Sequence, residues 1–228
     1  MRSSQAQNKK IVLVEDHLMF REQLARMIKR ELGITVCAET DNIKDAERLI
    51  SVEKPDVAII DISLKGASGL ELVKNLKSSG SDVRMLVLSM HDEQIYAERS
   101  LRAGAMGYIR KTEASAELIT AIRTLLKNEF YASRDVVHNI LRGVTQRRSF
   151  LTVGGMQLLA DRELEVFELL GKGKSTQEIA SQLHLGFSTI ETYRARIKEK
   201  LQLRSAAELY LKAGQWVQEL NNPSSRGL

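Results

Sequence analysis

The chain has 228 residues, 43% of them apolar and 28% charged, which suits ordinary hydrophobic cores in one or two domains. No stretch reaches the roughly 20 apolar residues that span a bilayer, and the opening MRSSQAQNKK lacks the apolar heart of a signal peptide, so a cytoplasmic protein is expected. A single Cys37 rules out an internal disulfide, and the net charge of +5 is lopsided: residues 9–130 balance 19 basic against 19 acidic side chains, whereas 131–228 hold 14 against 10. A basic half beside a neutral one predicts an anionic partner for the former, and nucleic acid is the usual one.

Short apolar runs alternate with helical stripes over the first half. Strands are predicted at Ile11–Val14, Thr35–Glu39, Val57–Ile60, Met85–Leu88 and Tyr108–Ile109. Between them the apolar residues recur at helical spacing, as in Phe20, Leu24, Met27, Ile28, in Leu70, Val73, Leu76, and in Leu118, Ile122, Leu125. Strands that are apolar on both faces and separated by helices predict a five-stranded, doubly wound parallel sheet. Cys37 falls within the second strand as a small packing residue.

The strand ends carry the chemistry. Val57–Ile60 runs into Asp61, Ile11–Val14 into Glu15 and Asp16, Met85–Leu88 into Ser89, and Tyr108–Ile109 through Arg110 into Lys111. In open α/β sheets the carboxyl ends of the strands are where ligands gather. Three carboxylates at one edge repel one another without a cation, and hard oxygen donors suit Mg²⁺. A hydroxyl and an ammonium would hold the oxygens of a phosphoryl group, with Asp61 as nucleophile forming an aspartyl-phosphate.

Residue by residue, this set resembles the receiver domain of two-component response regulators from about Lys9 to about Phe130. The resemblance implies that Glu15 and Asp16 hold Mg²⁺, that Asp61 accepts the phosphoryl group and that Ser63 lends its backbone carbonyl to the metal. It further implies Ser89 as switch hydroxyl, Lys111 as the amine that pairs with phosphate, and Tyr108 as an aromatic that turns inward on activation. The helix Gln94–Ala103 and the Tyr108 strand would form the face that changes. Departures are Glu15 where two aspartates are commoner, Lys65 in place of a frequent proline, and Thr112 where proline often follows the lysine.

After Phe130 the alternation stops. Residues 131–157 read as a linker with one short apolar run, and its Arg142, Arg147 and Arg148 are solvated charge or phosphate contacts. From Leu158 to about Leu220 the pattern is helical throughout, in four stripes; Leu209, Ala213, Trp216 and Leu220 form the last, with Tyr210 and Val217 as surplus apolar surface for a partner or as cover for the core. Ser175-Thr176-Gln177-Glu178 is a capping box, and Leu185-Gly186-Phe187 is the tight turn of a helix-turn-helix. Residues 1–8 and 221–228 read as flexible ends.

The string DRELEVFELLGKGKSTQEIASQLHLGFSTIETYRARIKEKL resembles the LuxR/FixJ class of DNA-binding domains. By that resemblance the third helix lies in the major groove and the fourth mediates dimer contact. At about 100° per residue, setting Ile190 and Ile197 inward turns Ser188, Thr192, Ala195 and Glu199 outward. Glu191, Arg196 and Lys198 then stand on the shoulders. Thr192 and Glu191 are the candidate base readers, while Arg196, Lys198 and Lys174 are candidate phosphate contacts. Glu191 stands where that class often has lysine, and has a second reading as partner of Ser188 in a capping box. An earlier helix start, with Gly186 as cap, dissolves that box.

Other features point elsewhere or nowhere. Gly173-Lys174-Ser175 lacks the upstream glycine and strand of a phosphate-binding loop. His17, His91, His138 and His184 are scattered without metal-ligand spacing, and His91 reads as a solvent-facing loop residue. The expected whole is a DNA-binding response regulator, phosphorylated at Asp61 by a histidine kinase or small phosphodonor and dimeric when active. Two alternatives stand beside it: a regulator whose receiver acts as a phosphate-insensitive dimerisation or adaptor module, and an aspartate-nucleophile phosphatase. The latter typically needs a second carboxylate at position 63, where this chain has serine.

Overall fold

A computed structural model describes residues 9–91, 93–134, 136–138 and 155–221. The terminal stretches 1–8 and 222–228, and the linker residues Arg142, Arg147 and Arg148, lie outside the described residues. The chain divides into two units, residues 1–141 and 142–228. No helix among the described residues is long and apolar enough to cross a membrane.

In the first unit the strands are β1 (Ile11–Val14), β2 (Val36–Thr40), β3 (Val57–Asp61), β6 (Arg84–Ser89) and β7 (Gly107–Arg110), with β4 (Ser63–Leu64) and β5 (Ala67–Ser68) as a small antiparallel pair. The five long strands pair in parallel in the order β2-β1-β3-β6-β7. Among the described residues, helices α1 (Leu18–Leu32), α2 (Ile43–Glu53), α3 (Gly69–Ser78), α4 (Glu93–Ala103) and α5 (Ala114–Leu126) cover them. The expected sheet is the observed one. β1 has the predicted bounds and β2 lies one residue further on, while β3, β6 and β7 outrun their apolar runs by one residue at one or both ends, because pairing continues through Asp61, Ser89 and Arg110, whose side chains gave no apolar signal.

One face of the sheet buries Ile11, Leu13, Ile59 and Leu86 under Leu24 and Ile28 of α1 and Leu118 and Ile122 of α5. Register then places the chemistry. Val14 lies beside Ile60, Asp61 beside Leu88, and Ser89 beside Arg110, so four strands deliver their next residues to one edge. The strand order reverses between β1 and β3, which opens a crevice between Glu15-Asp16 and Asp61. Gly69 is needed at this edge, since a methyl group there would fall 1.9 Å from the Asp61 carbonyl oxygen.

The chain after α5 first returns to the sheet. Tyr131 forms a parallel bridge to Gly107 at the free flank of β7. Its N–H donates to the Met106 carbonyl at 2.9 Å, and its carbonyl accepts from the Tyr108 N–H at 3.2 Å. Val136, just beyond, is buried. Cys37 does lie in β2, half-buried, with its thiol donating to the Ile11 carbonyl at 3.3 Å.

The second unit has helices α6 (Asp161–Gly171), α7 (Thr176–Gln182), α8 (Phe187–Lys200) and α9 (Ala206–Asn221). Ser175 caps α7 as the sequence predicts: its hydroxyl accepts from the Glu178 N–H, and the Glu178 carboxylate accepts from the Ser175 N–H at 2.8 Å. Gly186 caps α8. The earlier start therefore holds, and the Ser188–Glu191 box does not form. Of the two apolar residues off the last stripe, which fit a partner face or a cover for the core, Val217 is buried as cover, whereas Tyr210 and its neighbour Leu211 remain exposed on α9. The Phe167 and Trp216 rings meet at 5.5 Å. At the crossing of α6 and α9, a methyl group on Gly171 would stand 2.3 Å from the Ala213 carbonyl oxygen and 2.6 Å from the Val217 side chain. Gly171→Ala should therefore cost about 1–3 kcal/mol by forcing the two helices apart, measured as a lower urea midpoint.

Candidate phosphoacceptor site and nucleic-acid interface

Asp61, at the end of the central strand, is 2% exposed, and Glu15 is equally buried. The Lys111 ammonium sits between them, 2.9 Å from Asp61 Oδ2 and 2.8 Å from Glu15 Oε2, with the Phe20 ring 5.1 Å away. Burial pushes the Asp61 carboxyl up to about 7; the Lys111 ammonium pulls against that, and the Glu15 carboxylate adds to it. A hydrogen bond from the Ser63 backbone N–H also favours the ionised form. For Lys111, burial works against the charge, yet Asp61 and Glu15 together outweigh it and raise its pKa.

The donor set fits a hard divalent ion. Oxygens of Glu15, Asp16 and Asp61 lie within 4.8 Å of one another, together with a ring nitrogen of His17. Glu15 Oε2, Asp16 Oδ1 and Asp61 Oδ2 are buried without a hydrogen bond. Lys111 lies at ion-pair distance from two of these atoms, Glu15 Oε2 and Asp61 Oδ2. Carboxylate oxygens in this number suit Mg²⁺, which binds through few protein oxygens and keeps several waters.

His17 belongs to this cluster, contrary to the scattered placement read from the sequence. Its Nδ1 lies 2.7 Å from Asp16 Oδ1 and 3.1 Å from Glu15 Oε1.

Ser89 is fully buried, and its hydroxyl accepts from the His91 N–H at 3.0 Å. Tyr108 is 1% exposed, with its hydroxyl donating to the His91 carbonyl at 3.0 Å. His91 itself is buried and not solvent-facing: Nε2 meets the Ser63 hydroxyl at 3.0 Å and the ring stacks on Tyr96 at 4.5 Å. A loop histidine two residues past a strand gives no periodic signal, so only the fold reveals that it ties Ser63, Ser89 and Tyr108 together. Lys65, a departure noted in the sequence, pairs with Asp41 at 3.1 Å.

In the second unit, Ile190 and Ile197 of α8 are fully buried and Ser188, Thr192, Ala195 and Glu199 are exposed, as the rotation predicts; Arg196, expected on the shoulder, is exposed too. Lys198 is half-buried, and Lys174 stands 3.6 Å from Glu178. The Thr192 hydroxyl donates to the Ser188 carbonyl at 2.9 Å. Glu191 is exposed but engaged, accepting from Thr176 at 3.0 Å and from Arg194 at 2.5 Å.

Comparisons with known proteins agree with this division. Residues 11–123 match the family described as response regulator receiver domain, and residues 157–213 that described as bacterial regulatory proteins, luxR family. The chain is 30% identical to response regulator UvrY of Escherichia coli K12 over 199 residues, covering 87% of this chain and 90% of that one. A solved LuxR-family two-component response regulator from Aurantimonas sp. SI85-9A1 is 32% identical, with a TM-score of 0.55 over 60% of this chain and 97% of its own. RcsB of Salmonella typhimurium shares the fold at 20% identity, with a TM-score of 0.54 over 91% of this chain and 98% of its own.

Proposed function

Because this chain belongs to the LuxR-family two-component response regulators, we propose that Asp61 accepts a phosphoryl group and that this controls DNA binding by α7 and α8. The convergence of Glu15, Asp16, Asp61 and Lys111 on one edge carries the reading. A carboxylate oxygen of Asp61 forms the new P–O bond as the P–N bond of a phosphohistidine, or the corresponding bond of a small phosphodonor, breaks. The departing group keeps the bonding electrons and takes a proton from solvent.

Glu15, Asp16, Asp61 and the Ser63 carbonyl would hold Mg²⁺. When bound, the ion supplies positive charge that favours the ionised Asp61 and engages phosphoryl oxygens. Lys111 leaves its carboxylate partners for the phosphate, and the Ser89 hydroxyl follows. That movement withdraws Ser89 from His91, whose carbonyl also holds Tyr108, so one residue links the hydroxyl and the aromatic of the switch. The chain is a stoichiometric acceptor working in the cytoplasm, and water attacking the phosphorus restores the carboxylate.

In the second unit Ser188, Thr192 and Ala195 face the base edges, and Arg196, Lys198 and Lys174 contact phosphates. Tyr210 and Leu211 on α9 supply a dimer surface, pairing two half-sites. Acetyl phosphate or beryllofluoride with Mg²⁺ should add one phosphoryl mass, or its mimic's shift, and raise affinity for duplexes selected from a random pool. An unchanged mass and mobility would favour the phosphate-insensitive adaptor. Arg196→Ala should weaken all duplexes alike and lower the salt slope by about one; a change confined to one base pair would make Arg196 a reader instead.

A further inference from the structure

Thr176, Glu191 and Arg194 close a ring of hydrogen bonds across the helix-turn-helix. The Arg194 Nη1 donates to Thr176 Oγ1 at 2.7 Å and to Glu191 Oε1 at 2.5 Å, and the Thr176 hydroxyl donates to the same Glu191 oxygen at 3.0 Å. Every proton has a place: the Arg194 amino group has two to give, and the Thr176 hydroxyl accepts one bond while giving one. Thr176 is the buried first residue of α7. Arg194 is mostly buried, its side chain 15% exposed, and its guanidinium lies 5.3 Å from the centre of the Tyr210 ring on α9. Three helices are thus joined at one point.

Position on α8 explains why this face is not the reading face. At about 100° per residue, Arg194 lies about 40° from the inward Ile190, and Glu191 lies between it and the outward Thr192. We propose that Thr176, Glu191 and Arg194 form a clamp that fixes the angle of α8 against α7, so that Glu191 is a positioning residue for DNA recognition and reads no base. The inference rests on the reading that α8 enters the groove. A carboxylate at the groove's edge would repel phosphate, and its pairing with Arg194 removes that charge locally. The pair brings no net charge to the duplex. Reaching for a cytosine amino group would strip Arg194 and Thr176 of their shared acceptor, leaving a poorly solvated cation behind.

The test uses the full chain and duplexes selected from a random pool, with anisotropy measured against a selected and a random duplex at several salt concentrations. Thr176→Val and Glu191→Ala, which removes the shared acceptor oxygen, should each weaken the selected duplex about tenfold, the effect of one charge-assisted bond. In Thr176→Val the random-duplex affinity and the salt slope should stay unchanged; the Glu191 variant leaves the Arg194 charge uncompensated and should raise both slightly, and in neither should the ranking of bases change. The double variant should lose no more than the worse single one, because both open the same ring. Thr176→Ser keeps the hydroxyl and should stay within about twofold of the parent.

Wild-type affinity in Thr176→Val would overturn the clamp. So would a Glu191→Ala variant that changes preference at one base pair only, since that is the mark of a reader. Equal loss on selected and random duplexes, tracking a lowered unfolding midpoint, would reduce the ring to a stability element and sink the proposal. If the unmodified chain enriches no duplex at all, the groove reading fails first and the clamp falls with it.

Discussion

Asp61→Asn should abolish uptake of a phosphoryl group from acetyl phosphate altogether, and should also make the metal-free protein more stable at neutral pH. The first effect follows from losing the nucleophile. The second follows from the cluster, where two buried carboxylates, Glu15 and Asp61, share one ammonium. With its carboxyl raised to about 7, Asp61 keeps its proton in the folded chain over a range where the unfolded chain has released it. The folded state then binds more protons, so stability falls as pH rises from about 4 to about 7, and is level above that. The contribution is fully present below the unfolded pKa and lost as pH passes through the folded one. Urea midpoints in EDTA at pH 5 and pH 8 should converge for Asp61→Asn relative to the parent. An undiminished pH dependence in the variant would locate the effect in other groups.

Lys111→Ala has the opposite sign and a larger cost. It removes the cation that touches both Glu15 and Asp61, and breaking a buried pair of this kind costs about 3–5 kcal/mol when the remaining charge cannot escape. Here part of it can, because Asp61 is already inclined to take up a proton. Destabilisation measured in EDTA should therefore be severe at pH 8 and much milder at pH 5.5. Mg²⁺ should restore part of the loss at pH 8, since an ion bound to the folded state alone stabilises it by mass action. Equal destabilisation at both pH values would mean that Lys111 matters through packing, for instance against Phe20.

The cluster at the sheet edge was legible because parallel strands speak twice in sequence, once as apolar runs and again through the residue that follows each run. Asp61, Glu15, Asp16, Ser89 and Lys111 all follow such runs, and register alone brings them together. His17 and His91 were misplaced for the converse reason. Their partners come from side-chain direction in loops: two neighbouring acids for the first, and Ser63, 28 residues earlier, for the second.

Glu191 shows the limit most clearly. Sequence spacing offered Ser188 on its own helix or a base outside the protein, but the fold supplied Thr176 across the turn, 15 residues back. Tyr131 was invisible for the same kind of reason, since a single bridging residue has neither period nor length.

That bridge bears on how the first unit meets other molecules. A terminal strand with free amides invites a foreign backbone to extend the ladder, the route by which many small α/β proteins stick together. Here the molecule's own polypeptide has already taken the seat beside Met106 and Tyr108. At that flank the backbone ladder is closed from within, and a neighbouring molecule would have to meet side chains there instead of open amides.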